Sequence, residues 1–331
     1  MRPGAGRRYR PDWLQLELRR DTGLDSTSSA NDGVKSLGVG PPRPTPRLRC
    51  REIGEHDIAS VIELLASGFA SRGGKYWAHA LDCLLRHPTP AGLPKLGYLL
   101  EHEGTVVGVI LLIFSTIASG SGSTVRCNIS SWYVKPAFRA YASLLVLRAM
   151  RRKDITYLNV SPAPHTRAII EAQGLVRYCN GQQLTLPLFK SGSPPVRIVP
   201  VDRVRRPDDP ALTGEFDLLA AHAGLGCVCL WCTSENEVHP FIFLPRRIAK
   251  GLVPVLQLVY CRELQDFVRL AGPIGRYLAI RGRPLVLLDA PGPIPGLVGK
   301  YVEGSGPKYF KGPAKPRLGD LAFTEGVLFG G

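Results

Sequence analysis

The sequence predicts an α/β protein built on a mixed sheet, and three observations carry that prediction. Short apolar runs bounded by turn residues alternate with stretches whose apolar residues recur at helical spacing, so both periods occur in one chain of 331 residues. The longest apolar runs, VVGVILLIF (106–114) and VPVLQLVYC (253–261), are too short to cross a bilayer and suit strands buried on both faces. The order of elements over 47–190 also begins again after 195, as an order only, without visible identity between the halves.

Residues 1–46 combine MRPGAGRRYR, DSTSSANDG and PPRPTPR, a composition too poor in periodic apolar residues to offset the entropy of ordering, and are predicted to be disordered. LRCREIG then reads as a strand. Asp57 precedes Ile58, Val61, Ile62, Leu65 and Phe69, a helical stripe, and Trp77, Ala80, Leu81 and Leu84 mark a second helix that stops before Pro88. GYLLEHEGTVVGVILLIFS folds back at Glu103-Gly104 as a hairpin, and a Ser/Gly loop over 119–123 leads into the next strand.

That strand ends in SSWYVKPAFRAYASLLVLRAMRR (130–152), where a helix is expected directly after Pro136, with Phe138, Tyr141, Ala142, Leu145 and Ala149 on one face and Arg148, Arg151 and Arg152 at its negative end. ITYLNV is a strand, 166–173 a short helix closed by Gly174, and Gln183-Leu184-Thr185-Leu186 part of another strand. After a linker at 191–195 come the strand VRIVPV, a helix over 216–223, the strands CVCLWC, HPFIFLP and VPVLQLVYC, a helix over 263–281 broken near Gly272-Pro273, and the strand PLVLLDA.

The net charge of +15 implies a surface that attracts polyanions, but the basic residues fall in scattered groups such as Arg205-Arg206 and Arg246-Arg247, which disfavours a nucleic-acid interface. A secretory pattern is missing from the first residues, so a cytoplasmic setting with the eight cysteines reduced is expected, and no membrane partner. Cys227 and Cys229 share one strand face and Cys232 the other, a spacing for core thiols rather than for zinc, and no metal is expected even with His239 nearby. Lys308, Lys311 and Lys315 around Tyr309 and Phe310 read as a solvated basic loop.

Val134, Pro136 and Arg139, placed after a hairpin and at a strand-to-helix corner, resemble the Val-x-Pro-x-x-Arg signature of the GNAT superfamily of N-acetyltransferases. The resemblance implies a GNAT-like acyl-CoA N-acyltransferase fold over 47–190 and a degenerate second copy over 196–331, in tandem. It also implies acetyl-CoA or another acyl-CoA as co-substrate and a small-molecule or peptide amine as acceptor. The cofactor-binding residues it implies are Val134, Arg139, Ala140, Tyr141, Ala142, Ser143, Leu144 and Asn159, with unpaired amides at the helix start holding the pyrophosphate. The family's two small positions after the arginine fall here on Ala142 and Leu144, and its tyrosine acid falls on Ile170, which cannot protonate a thiolate.

No catalytic residue is therefore assigned. Tyr141, Ser161, His165, Tyr178 or water remain as candidate acids, and Glu101 and Glu103 as candidate bases. At the start of the helix after VPVLQLVYC, Glu263 and Asp266 suit the helix dipole but would repel a pyrophosphate, so one CoA per chain is expected. Two other readings stay open: a CoA-binding module without turnover, and a basic scaffold for nucleic acid or protein.

Overall fold

In a computed structural model, residues 48–119, 122–249 and 251–330 are described. The segment over 1–46 expected to be disordered lies outside them. All described residues belong to one compact unit.

The core is a single 12-stranded sheet. Its first half contains β1 (Leu48–Glu52), α1 (Ile58–Gly68), α2 (Gly74–Arg86), β2 (Gly97–His102), β3 (Thr105–Ser119), β4 (Gly122–Val134), α3 (Ala142–Ala149), β5 (Thr156–Asn159), α4 (Arg167–Ala172) and β6 (Val176–Thr185). The second contains β7 (Arg197–Pro200), α5 (Pro210–Gly224), β8 (Val228–Ser234), β9 (Glu237–Ile248), β10 (Val253–Tyr260), α6 (Leu264–Ala279), β11 (Val286–Ala290), β12 (Gly299–Lys311) and α7 (Glu325–Leu328).

The strands lie in the order β1-β2-β3-β4-β5-β12-β6-β11-β10-β9-β8-β7. Read inward from either edge, five consecutive strands are followed by the last strand of the other half: β12 sits beside β5, and β6 sits beside β11. The pairs β4/β5 and β10/β11 are parallel, in matching positions. The helices repeat the same plan. Leu64, Leu65, Trp77 and Leu81 of α1 and α2 pack on one face of the first half, and Leu145, Val146 and Ala149 of α3 on the other. In the second half α5 and α6 likewise cover opposite faces, through Leu219 and through Phe267, Leu270 and Ile274.

Four local expectations are corrected. The segment after Pro136 is a 3-10 turn, Pro136–Tyr141, and the α-helix begins only at Ala142. Tyr141 consequently points outward, 46% exposed, instead of joining the apolar face. The second helix does not break at Gly272-Pro273: α6 runs through it, and the glycines there serve close approach, since a Cβ on Gly275 would lie 2.1 Å from the Leu188 nitrogen of the turn Pro187–Phe189. Lys308 and Lys311 are not in a solvated loop but in β12, with Lys308 buried against Asp289 at 2.8 Å. A run dotted with glycine and serine (GKYVEGSGPKYFK) hides a strand from period-two patterning, and only pairing to β5 and β6 supplies its partners.

The thiols follow the expected faces: Cys227 and Cys229 join the core under α5 and Cys232 the core under α6, and burial raises all three. No helix among the described residues is long and apolar enough to cross a membrane.

A candidate active site where two strands part

The parallel strands β4 and β5 pair at Arg126/Thr156, Cys127/Tyr157 and Asn128/Leu158, and then separate. β4 continues along β3 to Val134, so its other edge is left without a strand partner beyond Asn128. A bulge follows at once: Ser131 and Trp132 both stand opposite Ile110, and Ser131 takes φ of 49°, a conformation that L-residues avoid unless the surroundings enforce it. The gap opens into a cavity of about 530 Å³ with walls from both halves of the sheet.

Glu325 stands in this cavity, at the first position of α7, on a C-terminal segment that crosses between the halves. Its carboxylate accepts hydrogen bonds from the hydroxyls of Ser130 on β4 and Ser161 just after β5. Its backbone N–H donates to Asn128 Oδ1 at 2.8 Å. Asn128 also donates from Nδ2 to the Leu158 carbonyl at 3.4 Å, so one amide side chain spans the last paired position of the two strands and fixes the start of α7. The Glu325 side chain is half-buried and faces the cavity. Desolvation there raises its pKa, against the lowering effect of the Ser130 hydroxyl and the positive charges of Arg72 and Arg246.

The segment carrying Glu325 is tied down by a buried ion pair. Arg126 lies 3.0 Å from Asp320, both under 10% exposed, and donates to the Ala322 carbonyl at 2.9 Å. Beyond the cavity centre a second polar network continues through β9, β10, β11 and β6. Arg246 donates to Gln257 Oε1 at 2.9 Å, Gln257 to Asp289 at 3.4 Å, and Gln182 to Asp289 at 2.9 Å.

Of the residues expected to bind a cofactor, Asn159 lines the cavity. Val134 is buried at the end of β4, and Arg139, Ala140, Tyr141, Ser143 and Leu144 are exposed along the turn and the first turn of α3, with Ala142 partly covered. The amides there are less free than expected: a 3-10 turn closes i to i+3 hydrogen bonds, and Ala142 N–H donates to the Arg139 carbonyl.

The candidate acids and bases separate clearly. Ser161 reaches Glu325, whereas Tyr141 and His165 are exposed outside the cavity lining, and burial pushes Tyr178 well above the ordinary tyrosine range. Glu101 is held by Arg51 at 2.7 Å and Glu103 is in the exposed hairpin turn, so neither reaches the cavity. Glu325 and Ser130 were missed. Nothing in TEGVLFGG marks Glu325 as a residue of the cavity, because its partners lie 164 and 195 positions away in the chain.

No protein-family model matches the sequence, and no curated protein matches it either. Solved structures do. A GCN5-related N-acetyltransferase from Anabaena variabilis ATCC 29413 superposes with a TM-score of 0.53 at 12% identity, over 80% of this chain and 72% of the other. The chain has the GNAT fold. An acetyltransferase-like protein from Pyrococcus horikoshii matches with a TM-score of 0.50 at 14% identity, over 87% of this chain and 98% of the other. A conserved protein of unknown function from Enterococcus faecalis V583, assigned there as an N-acyltransferase, gives 0.50 at 13% identity, over 83% and 73%. Shares this large exceed either half of the sheet, so the likeness extends across both.

Proposed function

We propose that the chain is an acyl-CoA-dependent N-acyltransferase that works in the cavity where β4 and β5 part. The observation that carries this reading is Glu325, a desolvated carboxylate held by two serine hydroxyls beside the open edge of β4. Such an edge suits the amide-bearing arm of CoA, which adds to it as an extended strand would. The exposed segment 139–144, with Arg139 and Ser143, would meet the phosphates, the guanidinium compensating for amides already engaged in the 3-10 turn, while buried Val134 fixes the strand end before it. Asn159 stands at the cavity wall on the side of the departing strand.

In the reaction, the acceptor amine attacks the thioester carbonyl, the carbon–sulfur bond breaks and CoA leaves as its thiolate. Glu325 takes the proton from the attacking nitrogen, and a carboxyl whose pKa is raised towards neutrality is a stronger base than an ordinary glutamate. Solvent in the open cavity reprotonates the thiolate. The second half lacks an equivalent cradle, since the carboxylates of Glu263, at the N-cap position of α6, and Asp266, in its first turn, would repel a pyrophosphate, so one CoA binds per chain.

Calorimetric titration with CoA, together with CoA release from acetyl-CoA over an amine panel, tests the reading. Glu325→Gln should leave CoA affinity and one-to-one stoichiometry intact while lowering turnover by roughly 10²-fold or more. Turnover within a few fold of the unmodified protein removes Glu325 from the mechanism, and failure of the unmodified protein to bind CoA removes the transferase reading altogether.

A further inference from the structure

The cavity carries two arginines that the acyl transfer leaves without a task. Arg72 enters from the connection between α1 and α2, and Arg246 from β9 in the other half of the sheet, and both line the space around Glu325. The Arg72 guanidinium lies 4.5 Å above the Tyr76 ring and donates to the Tyr76 hydroxyl at 2.6 Å. Arg246 donates to Gln257 Oε1 at 2.9 Å. These contacts orient the two side chains without neutralising them, and among the described residues neither arginine has a carboxylate within ion-pair distance. The other cation of the cavity wall, Lys308, is by contrast fully paired with Asp289.

The charge balance is therefore lopsided. With Glu325 ionised, the paired Lys308 and Asp289 cancel, and Arg72 and Arg246 leave an excess of one positive charge facing the space that an acceptor must enter. A plain amine, which arrives as a cation, would be repelled from such a site. Resting on the acyltransferase reading, we propose that the acceptor carries an anionic group, a carboxylate or a phosphate, in the same molecule as its amine, and that Arg72 and Arg246 clamp that group from opposite halves of the sheet while the nitrogen faces Glu325. Planar guanidinium groups with several fixed donors suit either oxyanion, and the ring beneath Arg72 holds one of them in place before the acceptor arrives. The clamp also gives the two-halved sheet a purpose at this site, since a single half supplies only one of the two arginines.

The experiment uses the full chain saturated with CoA, so that the cofactor's own phosphates are already placed. Two matched pairs are titrated: glucosamine 6-phosphate against glucosamine, and β-alanine against β-alaninamide. At least one probe with the anionic group should bind roughly tenfold or more tightly than its counterpart without it, the size expected when hydrogen bonds to a charged group are made. The phosphate and carboxylate pairs separate the two anions. In the Arg72→Ala/Arg246→Ala variant that preference should vanish while CoA affinity stays within about twofold, and Arg72→Lys/Arg246→Lys should restore part of it. Both arginines are exposed, so the variants are expected to fold, which the melting temperature checks. Equal binding within both pairs, absence of binding by both anionic probes at millimolar concentration, or a preference that survives in the double alanine variant would each overturn the proposal. A loss of CoA affinity in that variant would overturn it too, by placing the arginines on the cofactor. Failure of CoA to bind the unmodified chain is read separately, at the saturation step, and counts against the acyltransferase reading.

Discussion

Replacing Arg126 by methionine tests how the C-terminal segment is held in the site. Arg126 and Asp320 are 3.0 Å apart and both almost fully buried. At an effective dielectric of about 20, two unit charges at that distance attract by about 5.5 kcal/mol, an amount that desolvation of the pair largely offsets. The net value of the intact pair is therefore small, but the cost of breaking it from one side is not. Methionine fills much of the arginine's volume and leaves the Asp320 carboxylate buried, with one oxygen already lacking a hydrogen-bond partner and only the half-exposed Arg317, at 3.8 Å, to face it. The hydrogen bond to the Ala322 carbonyl is lost as well. Arg126→Met should cost about 3–5 kcal/mol in urea unfolding. Adding Asp320→Leu should recover more than half of the loss, because no charge then remains to be buried. Turnover should fall in the single variant, since residues 320–325 carry the carboxylate proposed as the base. A loss under about 1 kcal/mol, or no recovery in the double variant, would refute the reasoning that an uncompensated charge is the cause.

Acid should destabilise the protein through His222 and His87, whose pKa values are lowered by burial. His222 donates from Nδ1 to the Leu218 carbonyl and accepts the Phe323 N–H at Nε2, a neutral arrangement that protonation would break. A depressed histidine contributes stability that is present above the ordinary value of about 6.5 and lost as pH falls below it, so the melting temperature should drop as pH falls below about 6.5, and His222→Gln should flatten the drop. Gly275→Ala should destabilise, because its Cβ would meet the Leu188 nitrogen at 2.1 Å, whereas Gly214→Ala in α5, with nothing within 4 Å, should stabilise by up to about 1 kcal/mol; urea unfolding of the two variants, with the order reversed, would contradict this. Residues 47–190 expressed alone should fail to give a cooperative unfolding transition, since β6 would lose both β11 and β12.

Much of the architecture was legible in the chain because it is written in local periodicity. The stripe from Ile58 to Phe69, the turn at Glu103-Gly104 and the runs at 106–114 and 253–261 place α1, the β2/β3 hairpin and the central strands where a period of 3.6 or 2 demands them. The end of β4 at Val134 was equally readable, though not the 3-10 turn that follows Pro136, as was the separation of Cys227 and Cys229 from Cys232. What local pattern could not reach was β12, whose glycines and serines carry no alternation, and the continuity of α6 through Pro273, where close packing on 187–189 outweighs the local signal for a break.

The site itself belongs to the tertiary structure. The chain by itself determined an α/β sheet with repeated element order, a basic composition and a strand that ends at Val134 before Pro136. The fold decided that the last strand of each half crosses into the other, and that the C-terminal segment then passes between the halves. It thereby brings Glu325 to Ser130 and Ser161, and Arg72 and Arg246 to one cavity. The physical reason is range. Periodicity and turn chemistry act over a few residues, whereas a desolvated carboxylate acquires its partners, and its raised pKa, only when hydrogen bonds between distant strands have fixed where the chain must run.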